Sequence, residues 1–389
     1  MTPSPLFPPP APGARPRVAI VGAGVIGLGI AWRLAAAGCA VAVFDRGAAG
    51  AGASHAAAGM LAAGVETEPG EDALLRLNLL SRSLWPGFAA EVEAASGIGV
   101  QLRTEGTLVV ALTADDVGRL RFNHRLQQDA GVETHWLTGG EVRRREPYLS
   151  PSVSAALYSP HDHQVENRLL AAALRRAAEA AGARVHEHAE VGRVLVEGGR
   201  ARGVAVGAQA HAADVVVLAA GAWSRRIEGV PDEARPPVRP IKGQMLALRM
   251  HEGEPLLRHV VWTPGVYLVP RLDGRLLVGA TVEERGFDTT ITAGGMLALL
   301  EGAWRTLPGI EELAIEETWV GFRPGSRDDA PVLGPTPVEG LVLATGHHRN
   351  GILLTPVTVD AVSRLVLDGT VPDGIAGFGL DRFATGGTR

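Results

Sequence analysis

Apolar residues come in three patterns along the chain: short β-branched runs, helical spacings and alternating stretches. Residues 18–21 form an apolar, β-branched run of the kind a buried parallel strand carries. An apolar helical stretch follows to Ala37, and Gly38 stands where a left-handed residue ends a helix. A second strand is predicted at 40–44. Residues 71–96 place Leu74, Leu77, Leu80, Leu84 and Phe88 near helical spacing, predicting a long amphipathic helix. A strand at 108–112 and helices at 115–130 and 167–181 follow, the last closed by Gly182. Strands are predicted at 184–188, 191–197, 201–206 and 214–218, with Gly198-Gly199 as a hairpin turn.

Pro236, Pro237 and Pro240 mark a boundary. Beyond them the strands alternate in polarity. Segments 265–271 and 275–282 flank the turn Leu272-Asp273-Gly274. Thr292 caps a helix to Leu307, and a strand follows at 315–320. Residues 341–344 are again a short buried strand. Thr355-Pro356 is expected as N-cap and first-turn proline of a helix to Leu367. The fold expected is α/β: a Rossmann-like dinucleotide domain with an inserted antiparallel-sheet α+β domain. The dinucleotide domain is expected to comprise 17–90, 150–235 and 330–389, and the inserted substrate domain 91–149 and 236–329.

Composition narrows the partners. Of 389 residues, 46% are apolar and 20% charged, ordinary for a soluble globular protein. The net charge of −5, with no basic run, argues against nucleic acid or an anionic membrane as partner. No apolar run approaches the roughly 18 residues that span a bilayer. Residues 1–16, rich in proline and alanine, are expected to be a disordered tail, and the location cytoplasmic by default. Cys39 is the only cysteine, so no internal disulfide is possible, and its expected role is small buried filler. Adjacent His161, Asp162 and His163 cannot converge from a regular element, so no metal site is expected. Arg143, Arg144, Arg145 and Glu146 are expected to be a solvated helix end.

The chemistry concentrates where strands end in glycine. Gly22, Ala23, Gly24, Val25, Ile26 and Gly27 follow the first strand as G-x-G-x-x-G, and Asp45 ends the second strand 18 positions after Gly27. Gly22 permits a tight turn, Gly24 lets backbone approach a pyrophosphate, and Gly27 lets helix and strand pack closely. The helix N-terminus favours phosphate, and Asp45, with Arg46 beside it, can hold a ribose. Residues 47–61 are small and almost uncharged, suited to lying flat against an extended ligand; Ala53, Ser54, Ala58, Gly59 and Met60 are its candidate contacts. Val191, and Gly221 and Trp223 after the strand 214–218, form another approach. A third is the turn Gly346, His347, His348, Arg349, Asn350, Gly351, running into Ile352 and Leu353. A nucleotide domain assembled from such distant pieces fits FAD better than NAD.

These motifs resemble the D-amino-acid oxidase-like flavoproteins, and among them the glycine oxidases. The resemblance rests on VGAGVIG (21–27), SHAAAGML (54–61), YLVPR (267–271), VGATVEERGFD (278–288), ETWVGFRPGSRDDAPVLGP (317–335) and ATGHHRNGILLTP (344–356). It covers nearly everything from 17 to 380. Asp45 stands where close relatives often carry Glu, and His55 interrupts a stretch usually of small residues. The resemblance implies non-covalent FAD, a homo-oligomer that is often a tetramer, and oxidation of glycine or other small amines to the imine. Oxygen is then the acceptor and hydrogen peroxide the product, with thiazole formation in thiamine biosynthesis as the setting.

Arg323, between Phe322 and Pro324, supplies a planar charged fork for a substrate carboxylate. Tyr267 offers a hydroxyl to close a small pocket, and Arg349 can reach substrate or flavin. No side chain is expected to act as acid or base, since the flavin N5 takes the hydride; neither His347 nor His348 is assigned as a base. Peptide N–H groups from Asn350 to Leu353, with the helix dipole behind them, are expected to face the flavin N1 and O2. A broader D-amino-acid or sarcosine oxidase, a quinone-linked dehydrogenase and a flavin carrier subunit are the competing readings.

Overall fold

The computed structural model describes residues 15–384. Residues 1–14, most of the expected tail, and 385–389 lie outside the described residues. The first unit is a six-stranded sheet in the order Val332–Pro335, Leu341–Thr345, Val215–Leu218, Arg17–Val21, Ala40–Phe44, Arg184–His186. Every pairing is parallel except that of the edge strand Val332–Pro335. The inner strands are mostly apolar on both faces because both are covered. Helices Val25–Ala36, Asp72–Ser96, Asn167–Ala180 and Thr355–Asp368 bury one face. A three-stranded antiparallel sheet, Val191–Glu197, Arg200–Val206 and Gln209–Ala212, covers the other.

The second unit is an eight-stranded sheet: Ala314–Gly325, Arg239–Arg249, Arg275–Gly279, Tyr267–Pro270, Val260–Trp262, Thr107–Ala111, Ala155–Ser159, His135–Thr138. It is antiparallel except between Val260–Trp262 and Thr107–Ala111. Thr292 caps the helix Ala293–Thr306 through its hydroxyl, as expected, and that helix covers one face. A mixed α/β fold with one mainly parallel and one mainly antiparallel large sheet is therefore present.

Local details differ from the sequence-based expectations. The strand Ala155–Ser159 belongs to the antiparallel sheet, although 150–235 is expected in the nucleotide unit. The helix Asp72–Ser96 runs past residue 90 and stays with the nucleotide unit to its end. Its buried face passes through Leu77, Ser81, Trp85 and Phe88, leaving Leu80 and Leu84 largely exposed. Two polar groups on that face explain the shift: Ser81 Oγ and Trp85 Nε1 both donate to the Leu353 carbonyl, at 2.7 and 2.9 Å. Glu146 is buried, not solvated. It accepts from the backbone N–H groups of Arg258 and His259 and contacts His259 Nδ1 at 2.6 Å. Thr355 is not an N-cap; Leu354 takes that place, and the Thr355 hydroxyl donates to the Gly351 carbonyl. Residues 47–61 include a short helix, Ala53–Ala56, and a strand, Met60–Leu61.

Glycine positions differ in what they tolerate. A Cβ on Gly27 would lie 1.9 Å from the Gly22 carbonyl oxygen, where only backbone movement could relieve it. One on the exposed, helical Gly87 would meet nothing within 4 Å. Gly27→Ala should therefore destabilise by about 3 kcal/mol or more through overpacking. Gly87→Ala should stabilise by about 0.4–1 kcal/mol through the unfolded chain. Urea titration of both variants checks the pair; equal midpoints would contradict this account.

Candidate active site

One elongated cavity of about 720 Å³ runs between the two sheets. Its nucleotide end is built by close backbone approach. Gly22 has φ of +107°, and a Cβ there would sit 2.4 Å from the Ala219 carbonyl oxygen. Asp45 holds this turn in place: one carboxylate oxygen accepts the Ala23 N–H at 2.7 Å, the other the Gly47 N–H at 2.9 Å. Gly24 precedes the first helix with no side-chain cap, and the Val25 N–H donates to Ser54 Oγ at 3.0 Å. The Arg46 guanidinium stacks 4.4 Å over Trp223, whose ring meets Phe287 and Phe322.

Gly22, Gly24, Val25, Ile26, Asp45, Arg46, Ala53, Ser54, Ala58, Gly59, Met60, Val191, Gly221 and Trp223 line this cavity. His347, His348, Arg349, Gly351, Ile352, Tyr267 and Arg323 line it as well. Gly27, Gly346, Asn350 and Leu353 stand behind its wall. Gly27 packs under Gly22, Gly346 against Val332, and the Leu353 carbonyl faces Ser81 and Trp85.

A buried residue with no role predicted from sequence ties the middle of the cavity together. Arg271 donates to the carbonyls of Ala58 (2.9 Å) and Val165 (2.7 Å) and to Asn167 Oδ1 (2.8 Å). Burial pulls its guanidinium down to about 10, against an upward pull from Glu166. Arg271 thereby bolts the small-residue segment at Ala58 and Gly59 to the antiparallel sheet. An arginine closing the apolar run YLVP was the available signal.

At the far end, two strand glycines make a floor. A Cβ on Gly243 would fall 2.6 Å from Arg323 Nη1, and one on Gly279 2.5 Å from the Tyr267 ring. Both side chains thus lie flat across bare backbone. Arg323 Nη1 donates to the Thr281 carbonyl at 3.1 Å, and among the described residues no carboxylate pairs with this guanidinium. Burial raises the Tyr267 phenol, with Arg323 beside it pulling the other way. Arg349 is differently placed. Its Nη2 meets Glu71 at 2.6 Å and its Nε lies 3.7 Å from Glu66. Glu66, not identified from sequence, lines the cavity. His347 is buried with Nε2 3.0 Å from Thr358 Oγ1, and burial pushes its pKa down to about 3. Burial lowers His348 to about 4, despite Asp329 nearby. Both imidazoles are neutral near pH 7.

The sequence matches the FAD dependent oxidoreductase family over residues 17–365. The chain belongs to that family. It is an FAD-dependent oxidoreductase with FAD as cofactor, and the cavity fits this group: a glycine turn at an uncapped helix end, a small-residue wall, and a polar far end. A glycine oxidase of Geobacillus kaustophilus is 39% identical over 94% of this chain and 96% of its own. The crystal structure of glycine oxidase from that organism superposes with a TM-score of 0.87, covering 94% of this chain and 98% of that one. A bifunctional protein ThiO/ThiG of Synechocystis is 38% identical over 95% of this chain, which spans 54% of that longer protein. Cys39 of the flavoenzyme is buried in the helical layer that covers the parallel sheet, and the cavity lining contains no thiol.

Asp45→Ala removes both backbone clamps and the acceptor facing the nucleotide end. FAD retention should fall roughly ten- to a hundredfold or more, at about 1.5–3 kcal/mol per charge-assisted bond. Fluorescence titration of the flavin-stripped protein measures this, and an unchanged dissociation constant would move the ribose contact elsewhere.

Proposed function

We propose that this enzyme oxidises glycine, and with it sarcosine and small D-amino acids, to the imine. The imine then hydrolyses to the 2-oxo acid or feeds thiazole formation in thiamine biosynthesis. The observation that carries the reading is Arg323, a cavity-wall guanidinium with no carboxylate partner among the described residues, lying beside Tyr267. A carboxylate is what such a fork lacks.

When bound, FAD supplies the hydride acceptor for the substrate α-carbon, and oxygen reoxidises it with release of hydrogen peroxide. The chain's own task is orientation. Arg323 fixes the carboxylate, Tyr267 closes one side, and Gly243 and Gly279 let those two side chains lie close against the sheet. Neither His347 nor His348 stores a proton at neutral pH, consistent with a reaction that needs little side-chain chemistry. The glycine oxidases similar to this chain favour the same substrate class. By resemblance the enzyme is a cytoplasmic homo-oligomer, a tetramer, using oxygen without a membrane or nucleic-acid partner; no helix of the described residues is long and apolar enough to cross a membrane.

Arg323→Ala should reduce kcat/KM for glycine by a factor of at least about 10², from two lost charge-assisted bonds worth about 3–6 kcal/mol. FAD content should stay near that of the unaltered enzyme. An amine without a carboxylate should lose far less. Steady-state peroxide assays with both substrates decide it: equal losses would make Arg323 structural and remove the amino-acid assignment.

A further inference from the structure

We propose that Glu66 is a specificity-determining residue: its carboxylate keeps Arg349 occupied and repels any substrate bearing a second carboxylate. This rests on the reading of Arg323 as the anchor for the first carboxylate. The amino-acid end of the cavity has two arginines in its wall, Arg323 and Arg349. Left alone, they would suit a dicarboxylate as well as a monocarboxylate. They are not left alone. Arg349 is held between Glu71 and Glu66, whereas Arg323 meets the Thr281 carbonyl and the Tyr267 hydroxyl and, among the described residues, no carboxylate. A second carboxylate, on the amine substituent or the side chain, would have to displace Glu66 or lie beside it in a site where water screens poorly. Discrimination by a placed like charge is a repulsive element, distinct from the attraction that Arg323 supplies.

Glu66 is also built in rather than draped over the opening. The buried carboxylate of Asp162 accepts the N–H groups of Gly64 and Val65, at 2.9 and 2.7 Å. Gln127 Nε2 and Thr67 Oγ1 donate to the Gly64 carbonyl. This turn delivers Glu66 to the cavity, and its own carbonyl accepts from Arg349 at 3.4 Å.

The charged groups facing Glu66 are Arg349 and Glu71, Arg323 from the long strand, and Asp162 from the turn below. Burial, aided by Asp162 and Glu71 and opposed by the two arginines, pushes the Glu66 carboxyl up to about 7. The repulsion is therefore present above that pH and fades as pH falls through it.

The test uses the flavin-loaded enzyme and two ligands that it cannot oxidise. Methoxyacetate mimics sarcosine, and diglycolate mimics iminodiacetate, its dicarboxylate counterpart. Their dissociation constants are read from the flavin spectrum in the unaltered enzyme, Glu66→Gln and Glu66→Asp. Sarcosine and iminodiacetate are compared in turnover alongside. The unaltered enzyme should prefer the monocarboxylate. Glu66→Gln should shrink that preference by at least about tenfold, and Glu66→Asp should retain it. Lowering the pH from about 8.5 to about 6 should shrink it in the unaltered enzyme too. A flavin-replete Glu66→Gln protein with an unchanged preference overturns the proposal. If that variant does not hold flavin, a preference that stays flat with pH in the unaltered enzyme overturns it instead. Failure to oxidise either glycine or sarcosine would remove the functional reading, while the binding ratio would still report on Glu66.

Discussion

The molecule depends on how closely its backbone approaches itself beneath the nucleotide end of the cavity. Gly27 lies against the Gly22 carbonyl, and Gly22 against Ala219 at the end of the neighbouring parallel strand. No Cβ fits at either contact. The Asp45 carboxylate then grips the turn from the second strand through Ala23 and Gly47. Three segments distant in sequence are thereby drawn within van der Waals contact, and the glycine-led helix end, with the Ser54 hydroxyl on its first N–H, is held between them. Phosphate recognition by peptide N–H groups needs that geometry, because a helix terminus offers its donors only where backbone can come near.

The remaining pieces are joined by buried polar groups that reach across chain segments. Arg271 joins the antiparallel sheet to Ala58 and Val165. Trp85 and Ser81 hold the Leu353 carbonyl from a helix nearly 270 residues away in sequence. Such bonds are directional, and a buried donor left unpaired costs about 1–3 kcal/mol. They therefore fix where the C-terminal turn sits, which apolar packing alone would leave less sharply defined.

Much of this was legible in the sequence, and what was not has physical causes. The glycine turn, Asp45 and the C-terminal turn could be read because each pairs a strand-like run with glycine at a required spacing. The strand Arg239–Arg249 was obscured by the prolines at its start; in the sheet Pro240 simply sits opposite Pro324. Glu146 reads as a solvated charge, and Asp162 only as one of three adjacent polar residues that cannot converge on a metal. Their burial depends on backbone N–H groups from elsewhere in the chain, and no local pattern announces those partners. Glu66 was hidden for the same reason: a single acid after a small-residue segment says nothing of the arginine 283 positions on that it faces. Arg323 was legible through its aromatic neighbours together with the family resemblance, whereas its freedom from a counter-charge among the described residues is a property of the folded cavity.

The floor formed by Gly243 and Gly279 has an evolutionary consequence. A pocket whose base is a side chain can be deepened by shortening that side chain. Here that side chain is Arg323 or Tyr267, lying over glycines that cannot themselves be shortened. Any change at either glycine adds bulk and pushes Arg323 or Tyr267 aside. Descendants of this chain can therefore deepen the pocket there only by trimming a residue that the proposed substrate contact uses, so enlargement disturbs the carboxylate anchor or its neighbour.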